Sequence, residues 1–98
     1  MKSFEGHIEG DKPVIVDFFA QWCGPCKMME PVLREVKDSV GDKATVLKMD
    51  IDKNPQYSEL YGIRAVPTLL IFKGGKVIWR NSGVTPSHEI LRHLNIHA

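Results

Sequence analysis

Apolar residues fall along this chain in two rhythms, short β-branched runs and longer stretches with an apolar residue every three or four positions. Val14-Ile15-Val16-Asp17-Phe18-Phe19 is apolar at every position but one, which predicts a buried strand. Residues 27–40 carry the helical period, and Pro31 inside them should kink the helix because it removes one backbone hydrogen bond. Gly41-Asp42-Lys43 then turns the chain into a strand over residues 45–49. A long helix joins these two strands, so they should run parallel through a right-handed crossover. Residues 55–61 read as a short helix ended by Gly62. Residues 68–72 and 77–80 read as a β-hairpin joined at Gly74-Gly75, and Thr85-Pro86 as the cap of a final helix reaching residue 94. At the other end, residues 3–9 suggest a short helix weakened by Gly6. No repeat, low-complexity tract or long linker divides the 98 residues, which predict a single domain.

Between the first strand and the long helix lies Trp22-Cys23-Gly24-Pro25-Cys26-Lys27, which holds both cysteines of the chain. Side chains three apart on a helix have Cβ atoms roughly 5–6 Å apart, whereas a disulfide prefers about 3.5–4.5 Å. Closing the bond should strain the turn and make it easy to reduce, which suits a redox switch. Cys23 falls at the helix start, where unpaired N–H groups and the positive dipole end favour a thiolate. Cys26, one turn further in, should be more shielded. The first cysteine is therefore expected to attack and the second to resolve. Pro25 suits the first turn, where a missing N–H costs no intrahelical bond.

Two plainer readings of the pair are weaker. A structural zinc site normally needs four ligands, and His7, His88, His93 and His97 are not spaced from the cysteines as a zinc finger would require. A permanent staple is disfavoured because closing so short a loop removes little chain entropy. Asp17 is the lone ionisable group of its strand, and burial should raise its pKa. Period-two alternation puts it on the face of Ile15 and Phe19. Its plainer reading is a strand-end carboxylate that reaches solvent or caps a helix.

The Trp-Cys-Gly-Pro-Cys motif after Val-Asp-Phe-Phe-Ala resembles the thioredoxin family. So do Lys48-Met49-Asp50-Ile51-Asp52, Asn54-Pro55, Tyr61-Gly62-Ile63-Arg64-Ala65-Val66-Pro67-Thr68 and Phe72-Lys73-Gly74-Gly75, which come in the family's order from about residue 13 onward. The resemblance implies an α/β thioredoxin fold, a central mixed sheet with helices on both faces. Thioredoxins usually carry an N-terminal strand and a longer first helix, whereas only twelve residues precede Pro13 here. Four strands are therefore expected rather than five, with residues 45–49 at or near a sheet edge. Phe19 also stands where the family commonly has tryptophan.

The resemblance further implies a protein disulfide reductase whose Cys23 is nucleophile and Cys26 resolving thiol. It places the Asp17 carboxyl behind Cys26, from where it could accept that thiol's proton, with Lys48 of the adjoining strand as the partner of Asp17. A bare Val66-Pro67 bond would be expected trans, but the family's proline here is cis and stands against the disulfide. The backbone of Val66 would then pair with substrate like an added strand. Trp22, Gly24, Pro25, Gly62, Val66, Pro67 and Gly83 would surround Cys23 as a weakly polar surface for protein substrates. No bound cofactor is implied, and a flavoprotein thioredoxin reductase is the implied electron donor. An oxidant or isomerase, and a non-catalytic binding module on the same scaffold, are the competing readings. Gly-Pro between the cysteines favours a reductase.

Composition narrows the partners. The chain is 43% hydrophobic and 26% charged, as globular domains are, and its net charge of +1 gives no bulk attraction for nucleic acid or a membrane surface. The first eleven residues lack the apolar core of a signal peptide, and no run approaches the roughly 20 apolar residues of a membrane span. The sequence reads as a cytosolic monomer.

Overall fold

A computed structural model describes residues 3–96. The elements, in order, are α1 (Phe4–Ile8), β1 (Val14–Phe19), α2 (Gly24–Val40), a single 3-10 turn (Gly41–Lys43), β2 (Thr45–Asp50), α3 (Pro55–Leu60), β3 (Thr68–Lys73), β4 (Lys76–Ser82) and α4 (Ser87–Ile96). Among the described residues the four strands form one sheet in the order β2-β1-β3-β4. β1 runs parallel to β2 and antiparallel to β3, and β3 is antiparallel to β4. The sheet is thus mixed, as the sequence pattern and resemblance implied.

β1 is a central strand with both faces covered, which explains its nearly unbroken apolar run. Its odd positions face α2 and α4, where Ile15 joins Met29, Leu33, Val36, Leu69, Ile71, Ile90 and Leu94 in one buried cluster. Its even positions face the opposite layer, where Val14, Val16 and Phe18 pack with Ile8, Met49, Leu70 and Phe72. Phe4 of α1, Tyr57 of α3 and Tyr61 just after it close over that second cluster, with the Phe4 ring tilted 4.7 Å from Tyr57 and Phe72 5.8 Å from Phe4, edge on. The N-terminal segment is also tied to the hairpin, because Gly74 and Gly75 donate to the carbonyls of Gly10 and Ile8 at 3.0 and 2.8 Å. Ser3 caps α1 by accepting from the Gly6 amide at 3.2 Å.

Helix α2 runs through Pro31 to Val40 as one element, the extent expected. The start of the last helix differs from expectation. Thr85 does not cap α4: its hydroxyl donates to the Gly83 carbonyl at 3.1 Å and accepts from Asn81 at 2.9 Å, while the Pro86 carbonyl receives the first amides of the helix, Glu89 and Ile90. The hydroxyl is taken by the loop before it can turn toward the helix, a local competition open to any threonine.

The edge position of β2 follows from the strand order. Thr45 and Ile51 donate to Pro13 and Phe19 at 2.9 Å each, so the odd-numbered backbone groups of β2 point toward β1. Those of Val46 and Lys48 point outward, where no strand pairs with them among the described residues. Amide exchange read residue by residue should therefore alternate, with Val46 and Lys48 exchanging roughly tenfold or more faster than Leu47 and Met49. Uniform slow exchange along β2 would mean that its edge is covered.

Candidate active site

The carboxyl end of β1 leads directly into the cysteine motif. After Phe19 the chain turns, Cys23 donates its amide to the Ala20 carbonyl at 3.2 Å, and α2 begins at Gly24. Cys23 is the N-cap of that helix, with extended backbone (φ −88°, ψ 111°), and its Sγ accepts from the Cys26 amide at 3.1 Å. The sulfur occupies the place that a serine or aspartate oxygen takes in ordinary caps. A thiolate there meets an orphan N–H and the positive end of the helix dipole together. Pro25 sits in the first turn, as its missing N–H permits.

Cys23 and Cys26 are joined as a disulfide with a Cα–Cα distance of 5.3 Å. The extended N-cap backbone places Cys23 just before the first helical residue. The Cα separation is ordinary for a disulfide, within about 4.4–6.8 Å. In this oxidised state both cysteines are equally shielded, at 4% and 5% exposure, so the expected greater burial of Cys26 is not seen. What distinguishes the two sulfurs is position: Cys23 caps the helix, and Cys26 lies within it.

Of the other predicted residues, Val66 stands against the disulfide, Lys48 is redirected, and the rest are fixed by contacts of their own. Val66 precedes a cis peptide bond to Pro67, and its carbonyl oxygen lies 3.6 Å from Cys23 Sγ. Thr68 secures this loop by donating to the Ala65 carbonyl at 2.6 Å while its hydroxyl meets Ser82 at 3.0 Å. Gly83 (φ 97°) donates to the Pro67 carbonyl at 2.8 Å in a conformation that side chains rarely adopt. Gly62 (φ 63°) ends α3, and Arg80 clamps that turn through the Tyr61 and Gly62 carbonyls at 2.7 and 3.3 Å. Trp22 is 70% exposed, and its indole N–H donates to Asp52 at 2.9 Å. Gly24 and Pro25 are also exposed.

Asp17 lies fully buried on the α2 face of β1, and neither carboxylate oxygen has a hydrogen-bond partner among the described residues. Burial pushes its pKa up to about 6; the charge of Lys48 pulls it down and that of Glu30 raises it. The expectation that Lys48 pairs with Asp17 is corrected here. Lys48 Nζ pairs instead with Glu30 at 3.6 Å and sits 4.6 Å from the centre of the Phe19 ring, half exposed at the sheet edge. It acts on Asp17 through space, because an ammonium is far better hydrated at that rim than beside a buried strand.

Two residues of the site were missed from sequence. Glu30 stands one helical turn after Cys26, at i+4, a spacing that marks the same helix face and would have found it. Asp52, the partner of Trp22, carries no such periodic signal. A cavity of about 50 Å³ beside the disulfide is walled by Phe19, Ala20, Gln21, Cys26, Lys27, Glu30 and Lys48.

A reversible cysteine pair capping a helix at the end of a central strand, opposite a cis-proline loop, defines a thiol–disulfide oxidoreductase. Comparison with known proteins agrees. The family profile described as Thioredoxin matches residues 1–96. The thioredoxin of Alicyclobacillus acidocaldarius is 47% identical over 88 residues, covering 90% of this chain and 84% of that protein. That of Chlorobaculum thiosulfatiphilum is 43% identical over 97 residues, covering 98% and 90%. The crystal structure of Malassezia sympodialis thioredoxin superposes with a TM-score of 0.86 at 41% identity, covering 97% of this chain and 84% of that one. The chain belongs to the thioredoxin family. It is a protein-disulfide oxidoreductase, with protein disulfides as substrates and a reductase as its general kind of partner.

The raised pKa of Asp17 has a definite sign in stability. The folded state binds the proton more tightly than the unfolded chain, so the native protein is penalised above about pH 6 and relieved as pH falls toward 3.8. The rise from 3.8 to about 6 corresponds to about 3 kcal/mol at neutral pH. Asp17→Asn should therefore stabilise the oxidised protein at pH 7 by up to about 3 kcal/mol, with the gain vanishing near pH 4. Denaturant midpoints at the two pH values measure it. In the same series, Lys48→Met should move the pH at which the penalty is complete upward and Glu30→Gln should move it downward, with the start near 3.8 unchanged. An Asp17→Asn variant less stable than wild type at pH 7 would show a satisfied carboxylate.

Proposed function

We propose that the chain works as a single-domain, monomeric disulfide reductase in which Cys23 is the nucleophile, Cys26 the resolving thiol and Asp17 the base. The observation that carries this reading is the Cys26 amide, 3.1 Å from Cys23 Sγ at the start of α2. In the reduced protein that amide and the helix terminus favour a Cys23 thiolate, the attacking species in disulfide exchange.

The Cys23 thiolate attacks one sulfur of the target disulfide, and the other leaves as a thiolate. A mixed disulfide now joins Cys23 to the target. Cys26 then gives its proton to the Asp17 carboxylate, a base whose raised pKa of about 6 brings it closer to a thiol than an ordinary carboxylate is. Its thiolate attacks Cys23 Sγ, releasing the second target thiolate and forming the Cys23–Cys26 disulfide. Two electrons have passed to the substrate. Lys48 and Glu30 tune Asp17 from the rim, one opposing the other.

Substrate would lie across Trp22, Gly24, Pro25, Gly62, Val66, Pro67 and Gly83. Positions next to Pro67 suit an extended peptide, because the Val66 backbone can pair with it as a neighbouring strand does. Trp22, held by Asp52 yet 70% exposed, supplies apolar area without specific polar demands. Such a surface accepts varied sequences. The electron donor we propose is a flavoprotein thioredoxin reductase, and the setting a reducing cytosol, where dithiols are returned to the reduced state.

Trapping tests the roles. Cys26→Ser should accumulate mixed disulfides with oxidised insulin, because attack survives and resolution does not, while Cys23→Ser should trap none. Reduced wild type should be alkylated by iodoacetamide at Cys23 first, roughly tenfold faster than at Cys26 near neutral pH. Trapping by Cys23→Ser alone would reverse the assignment, and failure of wild type to reduce insulin would leave a binding module.

A further inference from the structure

A cleft of about 530 Å³ runs between α2 and the edge strand β2, meeting the small cavity beside the disulfide at Glu30 and Lys48. Glu30, Leu33, Arg34 and Lys37 form its helical wall, following the i, i+3, i+4, i+7 spacing of one helix face, and Val46 and Lys48 form its strand wall. We propose that this cleft and the open edge of β2 together form a docking site for an extended acidic segment of a partner protein, which joins the sheet as an added strand.

Two independent features converge on that occupant. The outward backbone groups of Val46 and Lys48 offer donors and acceptors at the spacing of a peptide strand. The side chains of the same two residues line the cleft, so alternate side chains of an added strand fall into it while the others lie beside Leu47 on the opposite face. Arg34, Lys37 and Lys48 outnumber Glu30, and Lys48 is already drawn to a carboxylate there, at 3.6 Å. Carboxylates on the inward side of the added strand meet these cations, and the apolar floor of Leu33 and Val46 receives their stems. A second copy is a poor occupant, because edge-to-edge pairing of two β2 strands brings like-charged clefts together. RNA matches the charge but lacks the backbone ladder.

The probe is an acetylated, amidated peptide of alternating Glu and Val, about six residues long as strands usually are, added to the oxidised full chain. Amide exchange of Val46 and Lys48 should slow roughly tenfold on saturation, with Leu47 and Met49 unchanged. Charge reversal in the Arg34→Glu/Lys37→Glu variant should weaken binding roughly tenfold, each surface pair contributing a few-fold, while insulin reduction stays at the wild-type rate. The same peptide with N-methyl groups on alternate amides should not bind. Equal binding by the N-methylated peptide, by a Lys-Val peptide or by oligouridylate would overturn the proposal. So would protection of Val46 and Lys48 that rises with protein concentration alone, since that assigns the edge to a second copy.

Discussion

Burial of the Asp17 carboxylate without a partner is the constraint on which the rest of this structure depends. It costs about 3 kcal/mol at neutral pH, a large part of the net stability of a small domain. The two apolar layers offset that cost. Ile15 and Phe18, fully buried on opposite faces of β1 beside Asp17, fix the strand between β2 and β3 so that the carboxyl cannot escape to solvent. A looser strand would let the charge hydrate, and its proton affinity would return to that of an ordinary carboxylate.

The same strand places the cysteines. Because β1 ends where α2 begins, one short turn carries the chain from the buried carboxyl to the N-cap sulfur of Cys23. Helix α2 then returns across the face on which Asp17 lies, bringing Cys26 and Glu30 along one side of the helix. Two opposed influences meet on Asp17 from that arrangement, the negative charge of Glu30 and the positive charge of Lys48. Their mutual pair at 3.6 Å partly cancels both, leaving desolvation as the leading cause. Against the disulfide, the Val66-Pro67 loop is fixed by Thr68, Ser82 and Gly83, so it rests on the hairpin β3–β4.

Most of the fold was legible because its signals are local. β1 was read to the residue, since a two-sided strand writes a continuous apolar run, and Gly62 marked the end of α3 by the conformation it alone tolerates. β2 lies at the sheet edge among the described residues, as expected. Which of several competing partners a polar side chain takes was less visible. Whether Thr85 caps a helix depends on Asn81 and Gly83 competing for its hydroxyl, and no periodicity records that competition. The partner of Lys48 was misread because strand register puts Lys48 beside Asp17 along the chain of Cα atoms, whereas the long side chain reaches outward to α2. The place of Cys23 at the start of α2 was legible from the strand-to-helix change around the motif. The cis bond before Pro67 came from family resemblance, as nothing in a lone Val-Pro pair distinguishes it.

Titration of the Asp17 carboxyl carbon by NMR in the oxidised protein tests the central claim most directly. An apparent pKa of about 6 is predicted, displaced upward by Lys48→Met and downward by Glu30→Gln. A midpoint near the ordinary value of about 3.9, insensitive to both substitutions, would contradict it, because the carboxylate would then be hydrated or paired and no longer the buried, unpartnered group that the rest of the molecule holds in place.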